Sequence, residues 1–362
     1  MNRQRILMIN VGTVLGGAEI YLERLTALLT GNALLFSVCA QPALAGQLRA
    51  HGVRVIGVPA ILGRRAHRVA KYPICLCIAL YIILRHRIQT VHFNGYQSSF
   101  MAIPARVCGC FTILTPHHLP SGRLALHWYV ENARWVHRII NVSAVVDRQH
   151  RSLLPQLQTA VIPNWIPCIP SQLIGGPAVE KRRLLFVGRL VDAKGLPDLI
   201  KAIGQLHGQV SLIVSGDGPS RSEYEKLAKD LPVSFVGYYP DLAKLYCDVD
   251  ALVVPSHGPE GSCLVALEAM AHSLPCIVSD LPAYREIAED GEAALLFHAG
   301  EGCAIATAIQ RLMSDAELRS RLAANAYGMV NSKYSSKAAS ARYLEVFGLN
   351  SSPPADFQGF NR

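Results

Sequence analysis

The sequence predicts an α/β protein of two Rossmann-like, doubly wound parallel-sheet domains facing one another across a cleft. Three observations carry that reading. Short apolar runs, suited to strands buried on both faces, alternate with amphipathic helical stretches, and the alternation occurs twice. A stretch rich in Pro and Gly separates the two series. At 362 residues, each half has enough chain for a core of its own.

The first series opens with RILMIN (5–10), then VGTVLGG (11–17) and the amphipathic AEIYLERLTALL (18–29), which is strand, glycine loop and helix. Further strands are expected at LLFSVCA (34–40), VRVIGVP (53–59), IQTVHFN (88–94), FTILTPHH (111–118) and RIINVSA (138–144). Helices are expected near 43–51, 70–86, 97–108 and 123–137. The break is AVIPNWIPCIPSQLIGGPAVEKRR (160–183). The second series runs RLLFVGR, helix 195–206, VSLIVSG, helix 219–230, VSFVGY, helix 240–248, ALVVPS, helix 263–272 and PCIVSD, with helices again from about 302. The expected domains are therefore 1–165 and 184–340, with a linker at 166–183. Residues 341–362 form a helix end and tail that can cross back to the first domain. The last twelve residues, SSPPADFQGFNR, are expected to be poorly ordered.

Composition removes several classes. Apolar content of 51% with 17% charged residues describes a globular chain rather than a disordered one, and no solenoid-period repeat is visible. The N-terminal apolar run is too short for a secretory signal and leads directly into a strand, so a cytoplasmic location is expected. Ten cysteines include the C-x-C pairs Cys75/Cys77 and Cys108/Cys110 but no C-x-x-C pair, which reads as reduced thiols without a zinc site. Charge is uneven: residues 1–170 hold 17 Lys/Arg against 4 Asp/Glu, a net of +13, and the remainder carries −4. A polyanionic partner, an anionic membrane surface and a merely basic surface all fit that asymmetry.

Three clusters carry chemistry. Gly16-Gly17 precedes a helix, and glycines there permit close backbone approach to a phosphate, although a tight structural turn reads the same. Ala18 and Glu19 stand where a P-loop needs Lys and Ser/Thr, so this is not one. In FVGRLVDAKG, Arg189 and Lys194 follow a strand end and offer a planar fork and a point charge, together suited to a diphosphate. In EGSCLVALE (260–268), Ser262 is the expected N-cap, and the backbone around Cys263, Leu264 and Val265 can hold a phosphate. Glu268 lies about a turn and a half inside that helix and leans back toward its start, where it can accept hydrogen bonds from a ribose diol. Glu260 precedes the cap and suits sugar hydroxyls on the other side of the phosphates. The Asp248-Val249-Asp250 triplet leads directly into a strand and is read as a connection, not a metal site.

With these motifs in place, the chain resembles the family 4 (group 1) retaining glycosyltransferases of the GT-B fold, whose signature is E-x7-E. The resemblance covers most of the chain: GGAE (16–19), VIPN (161–164), VGRLVDAKG (187–195), SGDGP (215–219), ALVVPS (251–256) and LPCIVSD (274–280) recur in order. It implies that Glu268 binds the ribose, while Glu260, Gly261, Ser262, Cys263 and Leu264 hold the donor sugar. It further implies that Arg189 and Lys194 neutralise the departing diphosphate and that His117, in LTPHHLP, stands near the reacting sugar. No metal and no cofactor are expected, only a nucleotide-diphosphate sugar as co-substrate. Cys263 replaces the family's usual Gly, and Trp165 and Pro167 depart from its N-G-[VI]-D pattern. The expected activity is sugar transfer to a glycan or lipid-linked acceptor hydroxyl in bacterial surface-polysaccharide assembly. The alternatives are an epimerase or phosphorylase of the same fold, or an inactive nucleotide-sugar-binding protein.

The segment RRAHRVAKYPICLCIALYIILRHR (64–87) has an apolar run of twelve residues, too short to span a bilayer, with Arg64, Arg65, Arg68 and Lys71 before it. Those four cations are expected to give peripheral contact with an anionic membrane at its inner face, and no contact with nucleic acid is expected.

Overall fold

A computed structural model describes residues 3–12, 16–58, 64–167, 169–170, 182–239, 241–258 and 260–349, with the side chains of 64–70 outside the description. The chain divides into two compact units, one of residues 1–164 with those from 339 on, the other of Trp165–Ala338.

In the first unit the strands are β1 (Gln4–Asn10), β2 (Ala33–Cys39), β3 (Arg54–Gly57), β4 (Thr90–Asn94), β5 (Phe111–Thr115), β6 (Arg138–Asn141) and β7 (Gln158–Val161). They form one sheet in the order β3-β2-β1-β4-β5-β6-β7, parallel throughout. The connecting helices are α1 (Gly17–Leu29), α2 (Pro42–Ala50), α3 (Arg64–His86), α4 (Ala102–Val107), α5 (Arg123–Ala133) and α6 (Ala144–Leu153). Both faces of β1 are apolar because both are covered. Leu7 and Ile9 pack with Val91, Phe93, Ala79 and Ile82, while Ile6 and Met8, at the alternate positions, are equally buried.

The second unit holds β8 (Arg183–Val187), β9 (Ser211–Ser215), β10 (Val233–Gly237), β11 (Ala251–Val254), β12 (Cys276–Ser279) and β13 (Leu295–Phe297), in the order β10-β9-β8-β11-β12-β13. Its helices are α7 (Leu196–Gln205), α8 (Arg221–Leu227), α9 (Leu242–Asp248), α10 (Leu264–Ala271), α11 (Pro282–Ile287), α12 (Gly302–Ser314) and α13 (Ala316–Lys333). Alternate residues of each central strand enter different cores. Leu185, Leu252 and Val278 meet α10 through Ala266, Leu267 and Met270. Leu184, Phe186, Val253 and Ile277 meet α7 and α12. The last helix, α14 (Ser336–Val346), groups with the first unit from Ala339 onward.

Each sheet reverses its winding at one point, between β1 and β4 and between β8 and β11, and ligands of such sheets bind beyond the strand carboxyl ends there. Four elements escaped the sequence reading. The half-exposed edge strand β7 (QTAV) has no apolar run, and the break expected from 160 begins inside it. The others, α6, α11 and β13, are respectively polar, six and three residues long. Helix α3 starts six residues before the expected position and runs through Pro73. At the start of the expected linker Ile166 is buried, as is Trp165 just before it, and the Ile166 N–H donates to the Tyr334 carbonyl at 2.7 Å. Residues 171–181 and the tail from 350 lie outside the described residues. Among the described residues, no helix is long and apolar enough to cross a membrane.

Candidate active site

Three loops at the carboxyl edge of the second sheet are locked together through backbone. The β8–α7 loop rests on the β9–α8 loop through Gly188 N–H to the Ser215 carbonyl and Leu190 N–H to the Asp217 carbonyl, both 3.0 Å. The β11–α10 loop then folds onto the first of these, its His257 and Gly258 N–H groups both donating to the Ala193 carbonyl at 3.1 Å. Glycine is required at the closest approach. Gly195 has φ +70°, and a Cβ there would lie 1.9 Å from the Pro255 carbonyl oxygen.

That scaffold brings two of the expected residues into contact. Lys194 Nζ donates to Glu260 Oε1 at 2.5 Å, with both side chains only partly exposed. Arg189, on the same loop as Lys194, is exposed. The expected cap is corrected by one residue. Cys263, not Ser262, is the N-cap of α10, because the backbone stays non-helical through 263, and among the described residues no side-chain oxygen caps the helix. The first intrahelical bond runs from Leu267 N–H to the Cys263 carbonyl, so the N–H groups of Leu264 and Val265 have no acceptor within the helix. The Cys263 thiol is buried beside Lys194 and Glu260; burial above all pushes its pKa up to about 11, so it stays protonated. Glu268 projects from the second turn of α10 and accepts the Tyr246 hydroxyl at 3.2 Å. Burial, then the Glu268 charge, raises the Tyr246 pKa and keeps that hydroxyl a donor.

In the first unit His117 follows β5 in a left-handed conformation, φ 64°. Arg87, His207 and Ser273 share that conformation just past helix ends, where it is ordinary, but His117 follows a strand. Its Nε2 lies 2.8 Å from Asn94 Oδ1. The Asn94 amide nitrogen donates to Asn10 Oδ1 and to the Ala18 carbonyl, both 3.0 Å, so Oδ1 is the accepting atom. His117 therefore carries its proton on Nε2 and keeps Nδ1 as an acceptor. Burial, reinforced by His118 and His92, lowers its pKa to about 3, which makes it neutral at pH 7. The Tyr21 ring meets it edge-on at 4.8 Å. Asn10 and Asn94 are register partners across the reversal between β1 and β4. Neither they nor Tyr246 were picked out from the sequence, where the signal was an Asn ending each of two apolar strands.

At Gly16-Gly17 the helix start already holds a carboxylate. Buried Glu19 accepts the Gly16 N–H at 3.1 Å and fills the space over Gly12. A hydroxyl, which can donate to that carboxylate, suits the position better than a second anion. Lys71 requires a correction. It is buried, and its Nζ donates to the Val11 carbonyl at 3.0 Å, so it cannot face a membrane. The side chains of Arg64, Arg65 and Arg68 lie outside the described residues. Asp250 holds the start of β8, accepting the Arg183 N–H at 2.8 Å. Among the described residues, no three His, Cys, Asp or Glu side chains gather as a metal-holding group.

Residues 15–168 match the family model for glycosyltransferase family 4, and residues 174–329 match that for glycosyl transferases group 1. The chain is 33% identical over 168 residues to the lipopolysaccharide core biosynthesis glycosyltransferase LpsE of Rhizobium meliloti, covering 45% of this chain and 48% of that one. It is 31% identical over 196 residues to LpsD of the same organism, covering 52% and 56%. The matched region thus spans about half the length of these curated relatives. Among solved structures, Anabaena HepE in complex with UDP and glucose superposes with a TM-score of 0.80 at 21% identity, over 95% of this chain and 99% of that one. WaaG, a glycosyltransferase involved in lipopolysaccharide biosynthesis, does so with 0.71 at 16%, over 94% and 99%. The two family models between them cover both parallel-sheet units, and the chain belongs to the family 4, group 1 glycosyltransferases of the GT-B fold.

Proposed function

We propose that this protein is a retaining glycosyltransferase that moves a sugar from a nucleotide-diphosphate donor to an acceptor hydroxyl in the assembly of a bacterial surface glycan of the lipopolysaccharide type. The observation that carries the reading is the Lys194–Glu260 pair beside a helix start that no side-chain oxygen caps. In this reading the diphosphate sits on the N–H groups of Leu264 and Val265, with Arg189 and Lys194 neutralising it as the anomeric C–O bond breaks and the electron pair leaves with the phosphate. Glu260 accepts hydroxyls of the donor sugar, with Gly261, Ser262 and Cys263 shaping its surroundings. Glu268, steadied by Tyr246, accepts those of the ribose. His117 of the first unit, neutral and oriented by Asn94, keeps Nδ1 as an acceptor suited to a sugar hydroxyl. No metal is needed, since cations and helix dipole stabilise the leaving group. The names of the curated relatives and the UDP and UDP-glucose held by the HepE structures support the donor class.

A lipid-linked acceptor would be met at the inner face of a membrane. The first unit supports this with exposed apolar residues beside exposed arginines: Tyr81 and Leu84 with Arg85, Val107 with Arg106, and Leu124 with Arg123. Cosedimentation with anionic vesicles should fall as salt rises; no binding at any salt would mean a soluble acceptor.

A thermal-shift screen of nucleoside diphosphates and their sugars tests the donor assignment. A specific donor raises stability by about 2.7 kcal/mol at a hundredfold excess over Kd. A screen in which no nucleotide moves the unfolding midpoint contradicts it.

A further inference from the structure

A groove of about 530 Å³ opens on the first unit, lined by Arg138, Arg151, Gln158, Val161, Arg342 and Glu345 among others. Nothing in the proposed transfer uses it. Arg138 opens β6, Gln158 opens β7 and Arg151 lies in the last turn of α6, so these three sit at the amino edge of the sheet, the opposite edge from His117. Two of the guanidinium groups are oriented by neighbours. Arg138 Nη2 donates to Gln158 Oε1 at 2.8 Å, and Arg151 Nε to Asp147 Oδ2 at 2.6 Å. Arg342 and Glu345, three residues apart and exposed, face the same groove from α14. Among the described residues β7 ends the sheet, so one row of its backbone N–H and C=O groups has no strand partner there.

The lining states what would fit. Three guanidinium groups outnumber the Glu345 carboxylate of the lining and the Asp147 carboxylate that holds Arg151, so the groove attracts an anion, and guanidinium forks match the oxygens of a phosphate. A single phosphate is far smaller than the space, which falls in the range that holds small organic ligands. The Glu345 carboxylate and the β7 backbone suit hydroxyl groups, which donate and accept together. We infer that this groove binds a phosphorylated saccharide through Arg138, Arg151 and Arg342, with Glu345 reading its hydroxyls. The site stands whether or not the transfer reaction is the one proposed above.

The test is calorimetric titration of the Arg189→Ala/Lys194→Ala protein, which has lost the cations of the other phosphate site, with glucose 1-phosphate, inorganic phosphate and glucose. Glucose 1-phosphate is expected to bind saturably and more weakly as salt rises, ahead of inorganic phosphate, with no binding of glucose. Arg138→Gln/Arg342→Gln in the same background should weaken it roughly tenfold or more, the scale of a lost charged hydrogen bond, with the unfolding midpoint retained. Should that variant fail to fold, Glu345→Gln serves instead and is expected to erase the advantage of glucose 1-phosphate over inorganic phosphate. Glucose binding as well as its phosphate would overturn the inference. So would binding that Arg138→Gln/Arg342→Gln leaves unchanged, or binding seen in the unsubstituted protein and absent once Arg189 and Lys194 are replaced.

Discussion

Gly195→Ala is the substitution through which the second unit's loop packing can be read most directly. The new methyl carbon would start 1.9 Å from the Pro255 carbonyl oxygen, where ordinary contact begins at 3.4 Å, so one loop must move by about 1.5 Å. Pro255 begins the segment that carries Glu260 and the start of α10, and misplacing reacting groups by about 1 Å costs on the order of a hundredfold in rate. Alanine also carries a left-handed backbone penalty of about 1–2 kcal/mol at φ +70°. Gly208→Ala separates the two effects, since Gly208 has φ +78° with nothing within 4 Å of a new Cβ. Steady-state kcat/KM for the donor and thermal unfolding should be measured on both. Gly208→Ala should lose only stability; Gly195→Ala should lose comparable or greater stability and roughly a hundredfold in kcat/KM. Equal turnover in the two variants would refute the claim that this contact positions the site.

The carboxylates should separate by ligand: Glu268→Gln weakens free nucleoside diphosphate and nucleotide-sugar alike, while Glu260→Gln weakens only the sugar-bearing donor or its turnover, as titration with both ligands would show. Arg189→Ala and Lys194→Ala should each lower kcat by about a hundredfold, with EDTA changing little; strong inhibition by chelator would point to a metal instead. Stability should fall as pH drops. His92 and His150 are fully buried, and burial lowers their pKa to about 3 and about 4. The unfolded chain takes up those protons below about pH 6.5 while the folded chain does not, so each costs about 2 kcal/mol at pH 5 relative to pH 8. An unfolding midpoint unchanged between those two pH values would contradict their neutrality in the fold.

The alternation of apolar runs and helices was enough to place both sheets except for the edge strands β7 and β13, and the spacing from Glu260 to Glu268 was enough to place both carboxylates around α10. The losses came where a residue's role depends on pairing across long sequence separations. Asn94 meets Asn10 only because β4 lies beside β1, 84 residues away, in one register. Lys71 was read as part of a basic patch, yet it precedes Cys75, Ala79 and Ile82 at helical spacing and shares their buried face. Ser262 and Cys263 are adjacent small residues, and nothing local decides which of them ends the loop.

Sugar transfer at the Lys194–Glu260 site is tested most directly by acceptor-dependent release of nucleoside diphosphate. The protein is incubated with the nucleotide-sugar that most raises its unfolding midpoint, with and without a bacterial surface-glycan acceptor, and the product's anomeric configuration is read by NMR. The expected result is diphosphate release only with acceptor, abolished in Glu260→Gln, with the donor's anomeric configuration kept. Tight donor binding without release on any acceptor, or a product of inverted configuration, would contradict the account.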